Sequence, residues 1–460
     1  MRAPGSLVTS ERTNLHAHEN LRTLSGSSVI LAVAMQDEIK RVFSTAFAGG
    51  EEDKRPLAED TKESLGEEGK ELERGIESGP AENTPILLTD NNNYGVLAVV
   101  RALRAAGYEP WLAVNDARTY ATRSRAVAGT VPMPDPDLDG EGFVRELAAA
   151  AARLSAAAVL PTADAHLMAL AGHEDDFAGA VLGAPSRQSV EWATDKELLV
   201  GLSATARLRT PPTIKVMRGD AEALGEFGFP AILKPLRSRT KNLDGTVSAR
   251  HARYVLAEQA EVAVKDIPDE GALVQPYIPG RLIGISGVSW NGELVCALHQ
   301  ISTRIWPLPC GGSAYAETIP PDHELERGVG RILRSIGWSG LFQAQFIRGA
   351  HGEHYLIDFN PRVYGSLALA VAAGLNLPGI WVDLLLGRRS RVGGYRIGAR
   401  FRHEERDVRA LAHMLMSGEH LDALRGCMPR RGTAHAIFST RDPAPLLTSV
   451  GKLTGRLRLV

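Results

Sequence analysis

Short apolar segments alternate with amphipathic ones from Pro85 onward, and this alternation constrains the fold more than any other feature. The pattern predicts a strand, a helix, a strand, a helix and a strand over 86–89, 96–103, 111–114, 141–154 and 156–160. Strand, helix and strand at this spacing are typical of a parallel sheet with right-handed crossovers. We therefore predict a Rossmann-like α/β unit over residues 84–185.

The next region, residues 186–390, has short β-rich segments separated by turn signals. Asn291-Gly292 is the strongest hairpin signal in the chain. Helices are predicted only over 254–264 and 324–336, so this region is expected to be antiparallel α+β. Residues 391–460 contain an amphipathic segment at 407–416 and are predicted to form a C-terminal cap.

The first 83 residues differ from the rest in composition. Glu, Asp, Lys and Gly dominate residues 51–74, with too few large apolar side chains to offset the entropy of ordering. We predict a disordered or weakly helical extension. The apolar run over 29–35 is far shorter than the roughly 20 residues that span a bilayer, and acidic residues precede it. Neither export nor a membrane span is expected.

Charge and cysteine content narrow the class of function. The 460 residues carry 52 Lys plus Arg against 54 Asp plus Glu, a formal net charge of −2, so no global basic field favours nucleic acid or an anionic membrane. The three cysteines, Cys296, Cys310 and Cys427, form no CxxC pair. This usage predicts a cytoplasmic protein.

The densest polar cluster is Asp358-Phe359-Asn360-Pro361-Arg362, directly after the apolar residues Tyr355 to Ile357. Alternate side chains of a strand share a face, so Asp358 and Asn360 are expected to point the same way. Gln345, on the preceding predicted strand, is placed to pair across with Asp358. Carboxylate and amide oxygens suit Mg²⁺, and the planar fork of Arg362 suits phosphate.

Two lysines strengthen this interpretation. Lys234 ends the apolar run Ile232-Leu233, where an amine is costly to bury unless it is paired. Lys196 lies early in a predicted helix. Phosphate oxygens would partner both amines, although a snorkelling edge lysine and a solvated helix lysine are the simpler alternatives.

Other candidates lie on loops. Asn91 to Asn93, Asn115 and Asp164 follow predicted parallel strands and are candidate substrate contacts, although such residues also cap helices and form turns. Cys310 has no arrangement of partners that supports a nucleophile. Pro309 to Thr318 contains Gly311-Gly312 and is predicted to be a loop before a helix, with backbone that a ligand can approach closely.

The order of these parts over residues 84–390 resembles the ATP-grasp superfamily. The resemblance depends on the Rossmann-like first unit, Asp195-Lys196, the strand that ends at Lys234-Pro235, the segment from Val274 to Gly280, and Asp358 to Arg362. It implies an ATP-grasp fold, in which two α+β subdomains clamp ATP.

The resemblance also implies residue roles. Lys196 and Lys234 would hold ATP phosphates, and the backbone of Gln275, Pro276, Tyr277 and Ile278 would receive adenine. Gln345, Asp358 and Asn360 would bind Mg²⁺ or Mn²⁺. Arg362 would stabilise the transferred phosphoryl group. Gly-Gly-Ser segments near the reaction centre of carbamoyl-phosphate-synthase-like members make Gly311, Gly312, Ser313 and Glu317 a candidate substrate loop, with Arg304 a second candidate catalytic residue.

The implied activity is an ATP-dependent ligase that joins a carboxylate, activated as an acyl phosphate, to an amine. Its expected partners are ATP and small acid and amine substrates, with a homodimer left open. Many members have Glu at the position of Gln345 and several glycines where this chain has the Arg-rich segment 237–245. These two departures leave open a non-catalytic ATP-binding sensor. Carbamoyl-phosphate-synthase-like phosphorylation of a small carboxylate or carbamate is a second alternative, since the resemblance includes carbamoyl phosphate synthases, which have Gln at the position of Gln345.

Overall fold

The computed structural model describes residues 83–90, 92–241, 247–390, 392–428 and 430–448. The extension predicted over 1–83 lies, apart from Asn83, outside these ranges. None of the helices in the described ranges is long and apolar enough to cross a membrane.

The first unit is a five-stranded parallel sheet in the order β3-β2-β1-β4-β5. Its strands are β1 (Thr84–Asp90), β2 (Tyr108–Val114), β3 (Gly129–Pro132), β4 (Ala158–Leu160) and β5 (Val181–Leu182). Its helices are α1 (Tyr94–Ala105), α2 (Gly140–Arg153) and α3 (Asp164–Leu170), with 3₁₀ turns at Ala121–Arg123 and Glu174–Asp176. The parallel sheet predicted from the alternating pattern is thus confirmed.

Two helices, α4 (Arg187–Thr194) and α5 (Lys196–Thr205), lead into a four-stranded antiparallel sheet. Its order is β10-β7-β11-β6. The strands are β6 (Ile214–Val216), β7 (Ala231–Pro235), β10 (Arg253–Val255) and β11 (Ala272–Pro276). Helix α6 (Ala221–Leu224) follows β6, and β8 (Arg239–Lys241) and β9 (Val247–Ala249) form a separate two-stranded ribbon.

The helix predicted over 254–264 is wrong for its first half. Tyr254 lies in β10 and pairs with Ile232 of β7, so cross-strand pairing overrides the local helical pattern. Only α7 (Ala260–Ala263) is α-helical, flanked by 3₁₀ turns at Ala257–Gln259 and Val264–Asp266.

A seven-stranded sheet in the order β16-β15-β12-β13-β14-β17-β18 forms the second half of the molecule. Its strands are β12 (Arg281–Trp290), β13 (Glu293–Trp306), β14 (Gly312–Thr318), β15 (Gly340–Arg348), β16 (His354–Asn360), β17 (Arg400–Arg402) and β18 (Thr433–His435). Helices α8 (His323–Ile336), α9 (Leu367–Ala372) and α10 (Leu377–Leu385) accompany it.

Two details of this sheet test the sequence patterns. Asn291 and Gly292, with φ of 49° and 81°, connect β12 to β13, and the predicted hairpin is confirmed. The loop predicted over Pro309 to Thr318 before a helix is wrong from Gly312 onward. That part is strand β14, which pairs with β13 on one side and β17 on the other.

The C-terminal segment is integrated into the sheet. After β17 come α11 (Glu404–Met416) and α12 (His420–Cys427), and β18 then pairs with β17. One apolar core joins the first unit to this sheet: Leu88 of β1 and Val96 of α1 belong to the same buried cluster as Val288 and Phe401. The carboxyl edge of the parallel sheet is thereby fixed against the larger sheet.

We expect Asp407→Ala to destabilise the protein by about 3–5 kcal/mol, because it would leave two arginines unpaired in a buried setting. Asp407 is 1% exposed, and its carboxylate accepts hydrogen bonds from Arg304 (2.5 and 3.0 Å) and lies 2.9 Å from Nε of Arg402. Urea unfolding measures the loss. The matched control is Asp422→Ala, whose pair with Arg425 is exposed and should contribute less than about 1 kcal/mol. Equal losses in the two variants would contradict the assignment.

Candidate active site

Lys234 is the most buried charged group of the predicted nucleotide site. Its side chain extends from β7 and is 8% exposed, and Nζ donates a hydrogen bond to the carbonyl oxygen of Ile357 at 2.7 Å. Burial lowers the pKa of Lys234 to about 8, with Asp358 opposing the shift and Lys196 adding to it. The amine is therefore poorly solvated and lies next to the strand that carries Asp358.

Lys196 reaches the same place from α5. Asp195 caps this helix by accepting from the backbone amides of Glu197 and Leu198, which sets Lys196 at the first helical position. Its Nζ donates to Oγ of Ser238 at 3.3 Å and lies 4.0 Å from Oδ1 of Asp358. The structure thus brings the two predicted lysines and the predicted metal-binding carboxylate together.

The predicted metal ligands occupy adjacent strands. Gln345 of β15 is directly opposite Asp358 of β16, as the sequence predicts, and Asn360 lies two residues along from Asp358. The amide nitrogen of Gln345 donates to Oε1 of Gln343 at 3.2 Å, so the carbonyl oxygen of Gln345 is the atom left to serve as a ligand. One carboxylate and two amide oxygens fit a hard divalent cation that also binds phosphate and water.

Arg362 joins this strand to the first unit. Its Nε donates to Oδ1 of Asp164 at 2.9 Å, and one Nη donates to Oδ1 of Asn360 at 3.0 Å. Asp164 begins α3 at the carboxyl end of β4, where the sequence predicts a substrate contact. The guanidinium is therefore oriented by two side chains that are both site candidates.

The predicted adenine-binding segment, residues 275–278, begins at the end of β11. Gln275 is 4% exposed and donates from Nε2 to Oγ1 of Thr213 at 2.9 Å, so its side chain is committed to the fold. The backbone amide of Tyr277 donates to the carbonyl of Pro230, and the Tyr277 ring meets Tyr254 edge-on at 5.2 Å. Pro276 pairs in register with Ala231 of β7, and Ile278 lies two residues after Pro276.

The segment before β14 lies close to Lys234. The thiol of Cys310 interacts electrostatically with Lys234 and with Tyr277, and burial raises the pKa of this thiol. A Cβ on Gly311 would meet the backbone of Trp306 and Pro307, so only glycine fits that turn. The turn between β13 and β14 is therefore a further segment at the buried lysine.

A buried polar network connects this segment to the metal-ligand candidates. Ser313 contacts Ser302 (2.6 Å) and Gln300 (3.5 Å), and Gln300 accepts from Ser366 at 3.0 Å. Gln343 donates to Ser286 and Ser366 at 3.2 and 3.4 Å and accepts from Gln345. The sequence analysis did not find Gln300, Gln343 or Ser366, which are far apart in the chain and meet only across the sheet.

Two predicted residues have partners elsewhere. Both nitrogens of the Arg304 fork bind Asp407, and Arg304 stacks on Tyr315 at 4.5 Å. Glu317 is paired in register with Ile301, a core residue, and lies 4.0 Å from Arg400. Ala316 and Thr318, the neighbours of Glu317 in β14, pair with Ser302 and Gln300 of the polar network. Because alternate side chains of a strand share a face, Glu317 points to the opposite face of the sheet from that network. The geometry gives Arg304 a structural partner and does not bring Glu317 to the lysines.

Two arginines of the Arg-rich segment 237–245 bind carboxylates. Arg237 donates to Asp195 at 3.2 Å, and Arg239 donates to Asp137 of the first unit. Residues 242–245 of this segment, and Asn91 among the predicted substrate contacts, lie outside the described residues. Asn93 caps α1, and Asn115 donates to Asp135. Asn93 and Asn115 therefore make the helix-capping and loop contacts expected if these residues are structural rather than substrate contacts.

A second group of side chains, absent from the sequence analysis, joins the first unit to α11. Tyr94 and Tyr120 from the first unit each donate a hydrogen bond of 2.8 Å to Glu405 of α11. Burial and Glu405 raise the pKa of Tyr94 to about 12. Residues more than 280 positions apart thus meet here, which no local sequence pattern reveals.

Comparison with known proteins gives a family match over part of the chain. Residues 269–406 match the model of a family described as ATP-grasp in the biosynthetic pathway with Ter operon. This chain has the ATP-grasp fold. A search of curated proteins by sequence found no match.

Solved structures share the ATP-grasp fold at low identity. The L-amino acid ligase from Bacillus licheniformis is 16% identical with a TM-score of 0.50, covering 66% of this chain and 74% of its own. N5-carboxyaminoimidazole ribonucleotide synthetase from Thermus thermophilus is 18% identical with a TM-score of 0.51, covering 69% and 81%.

A third structure was solved with nucleotide. The biotin carboxylase domain dimer of 2-oxoglutarate carboxylase from Hydrogenobacter thermophilus, in complex with MgADP, ADP and bicarbonate, is 17% identical with a TM-score of 0.51. The match covers 68% of this chain and 73% of that one. At these identities the likeness shows the fold of this chain and nothing more.

Proposed function

We propose that this protein is an ATP-dependent ligase that activates a carboxylate as an acyl phosphate and joins it to an amine. The observation that carries the proposal is the convergence of Lys196, Lys234 and Asp358 from three separate elements, with Arg362 two residues beyond Asn360 on the same segment. Two amines and a guanidinium with two carboxylates, Asp358 and Asp164, leave an excess of positive charge that favours a polyanion such as a triphosphate.

The proposed roles follow from position. Lys196 and Lys234 bind phosphate oxygens, and the backbone from Gln275 to Ile278 receives the adenine. Phosphoryl transfer needs alignment and charge neutralisation more than covalent chemistry. No covalent nucleophile is therefore required, and Cys310 is not given that role.

Gln345, Asp358 and Asn360 would hold the magnesium ion that an ATP-grasp site implies. Their oxygen donors fit it, and a single carboxylate leaves room for the phosphates to complete the charge balance. When bound, the ion supplies further neutralisation of the phosphate oxygens. Among the described residues no cluster of three His, Cys, Asp or Glu side chains offers an alternative metal site.

Arg362 is proposed to stabilise the transferred phosphoryl group and the acyl phosphate. Its contacts to Asp164 and Asn360 use one Nε and one Nη, so the fork is held in one orientation before substrate arrives. Preorganised charge of this kind lowers the barrier because it needs no rearrangement during the reaction.

The deciding experiment measures phosphate release from ATP with pools of small acids and of amines, added singly and together. Stimulation only by an acid plus an amine supports the ligase, and mass spectrometry of the product identifies both substrates. Stimulation by an acid or bicarbonate alone would favour carbamoyl-phosphate-synthase-like phosphorylation. Tight ATP binding without turnover in any pool would favour the sensor.

We expect the affinity for a non-hydrolysable ATP analogue to fall above pH 8, by up to about tenfold per pH unit. The pKa of Lys234 is lowered to about 8, and only the protonated amine attracts phosphate. Calorimetry in buffers of different ionisation enthalpy should detect proton uptake at pH 9 and little at pH 7. Lys234→Met, which removes the titrating group, is the control and should lose the uptake.

The same group has the opposite effect on the free protein. The unfolded chain keeps this proton up to pH 10.5, so it binds more protons than the native state between about pH 8 and 10.5. The contribution of Lys234 to the free energy of unfolding therefore increases with pH over that interval.

In the binding experiment, proton release on analogue binding at pH 9 would contradict the assignment of Lys234 to phosphate.

A further inference from the structure

Arg406, at the start of α11, is a half-buried cation without a hydrogen-bonding partner. Over the described ranges its guanidinium forms neither a hydrogen bond nor an ion pair, whereas Arg304 and Arg402 nearby are both bound to Asp407. An arginine fork has five donors, and leaving them unsatisfied in a partly desolvated place is costly. Such a group is expected where a ligand completes the site.

The surroundings of Arg406 are built from three segments. A Cβ on Gly312 would lie 2.5 Å from one Nη, so the guanidinium lies against backbone that has no side chain. Burial lowers the pKa of Arg406, and the charges of Tyr94 and Glu405 oppose this shift. His403, 1% exposed, has both ring nitrogens without hydrogen-bond partners, and burial lowers its pKa to about 4. Neutral His403 therefore adds no competing cation.

This cluster borders the proposed active site along two routes. The first runs through Gly312 to Ser313, whose hydroxyl belongs to the polar network that ends at Gln345. The second runs through Tyr94 to Gly95, where a Cβ would lie 2.4 Å from the carbonyl oxygen of Tyr364, two residues after Arg362. Arg406 is thus placed beside the Gly-Gly-Ser segment, and among the described residues no contact links it to either lysine.

We propose that Arg406 binds a carboxylate group of the acid substrate, with Gly312 leaving the space that the guanidinium occupies. The proposal rests on the ligase function above and names the group that recognises the acid. A guanidinium fork matches the two oxygens of a carboxylate in its own plane. A phosphate of the nucleotide has the same attraction for arginine, and the experiment separates the two.

The test uses the full chain and three variants. Arg406→Gln removes the charge, and Arg406→Lys keeps the charge but not the fork. Gly312→Ala leaves Arg406 in the sequence but displaces its guanidinium, and Gly312 has no positive φ that would strain alanine. Arg409→Gln, an exposed arginine on the same helix, is the matched control.

Two binding measurements are made by calorimetry and thermal shift. The first probe is the magnesium complex of a non-hydrolysable ATP analogue. The second is a panel of single amino acids and of short mono- and dicarboxylic acids, added to the analogue-bound protein. We expect at least one acid to bind the wild type. Its affinity should fall about 10- to 150-fold in Arg406→Gln, less in Arg406→Lys, and measurably in Gly312→Ala. Analogue affinity should stay within about twofold, and Arg409→Gln should match the wild type.

Three outcomes would overturn the proposal. They are loss of analogue binding in Arg406→Gln, which would assign this arginine to phosphate; no acid binding by the wild type; and unchanged acid affinity in Arg406→Gln. None of these outcomes decides whether the protein is a ligase, because that assignment depends on binding of the ATP analogue to the wild type. Failure of the wild type to bind the analogue would instead overturn the proposed function itself. The melting temperatures of the unliganded variants identify any that fail to fold.

Discussion

Lys234→Ala is expected to weaken binding of the ATP analogue by about 10- to 150-fold, the range for losing one charge-assisted hydrogen bond of about 1.5–3 kcal/mol. The amine lies within a buried strand, 8% exposed, where phosphate is the partner that would offset its desolvation. Titration calorimetry with the analogue gives the number directly.

Two controls keep this result interpretable. Lys234→Met retains the apolar stem and distinguishes loss of charge from loss of packing. Lys215→Ala removes an exposed lysine of β6 that pairs with Glu197, and it should bind the analogue like the wild type. Unchanged affinity in both Lys234 variants would remove the central support for a nucleotide site here.

Arg362→Ala should behave differently, sparing analogue affinity within about threefold while lowering turnover about 100- to 1,000-fold. The reason is that Arg362 contacts Asp164 and Asn360 rather than the lysines, so its main effect is expected on charge that develops during phosphoryl transfer. Phosphate release with the acid and amine pair that stimulates the wild type is the measurement.

Companion variants define what Arg362 contributes. Arg362→Lys keeps the charge but cannot make both contacts of the fork, and it should recover only part of the turnover. Asp164→Asn leaves the arginine in place but weakens its orientation, so a smaller loss is expected. Turnover equal to the wild type in Arg362→Ala would refute the proposed role of this residue.

The local parts of this fold could be predicted because they depend on neighbouring residues. The hairpin at Asn291-Gly292 needs only two neighbouring residues that adopt positive φ. The pairing of Gln345 with Asp358 follows from one short turn between adjacent strands. Tyr254 is the opposite case, since its strand forms only by pairing with β7, more than 20 residues earlier. A helical period in the sequence cannot report that partner.

The same physical difference explains which site residues were predicted. Lys234 and Asp358 stand out because a charged side chain beside an apolar strand is unusual in itself. Arg406 and Glu405 look like an ordinary solvated helix start, and their meaning comes from Gly312 and Tyr94, which lie far away in sequence. Arg304 was predicted from its nearness to the Gly-Gly segment, whereas its partner Asp407 is 103 residues further on.

The pairing of β17 with β14 has a consequence for synthesis on the ribosome. A nascent chain that has grown only to residue 390 already contains the lysines, Asp358 and Arg362, but the outer edge of β14 still lacks its hydrogen-bonding neighbour. Such an edge invites pairing with another chain. Chaperone protection would therefore matter most before residues 400–402 emerge from the exit tunnel. Chains truncated between residues 390 and 400 should aggregate.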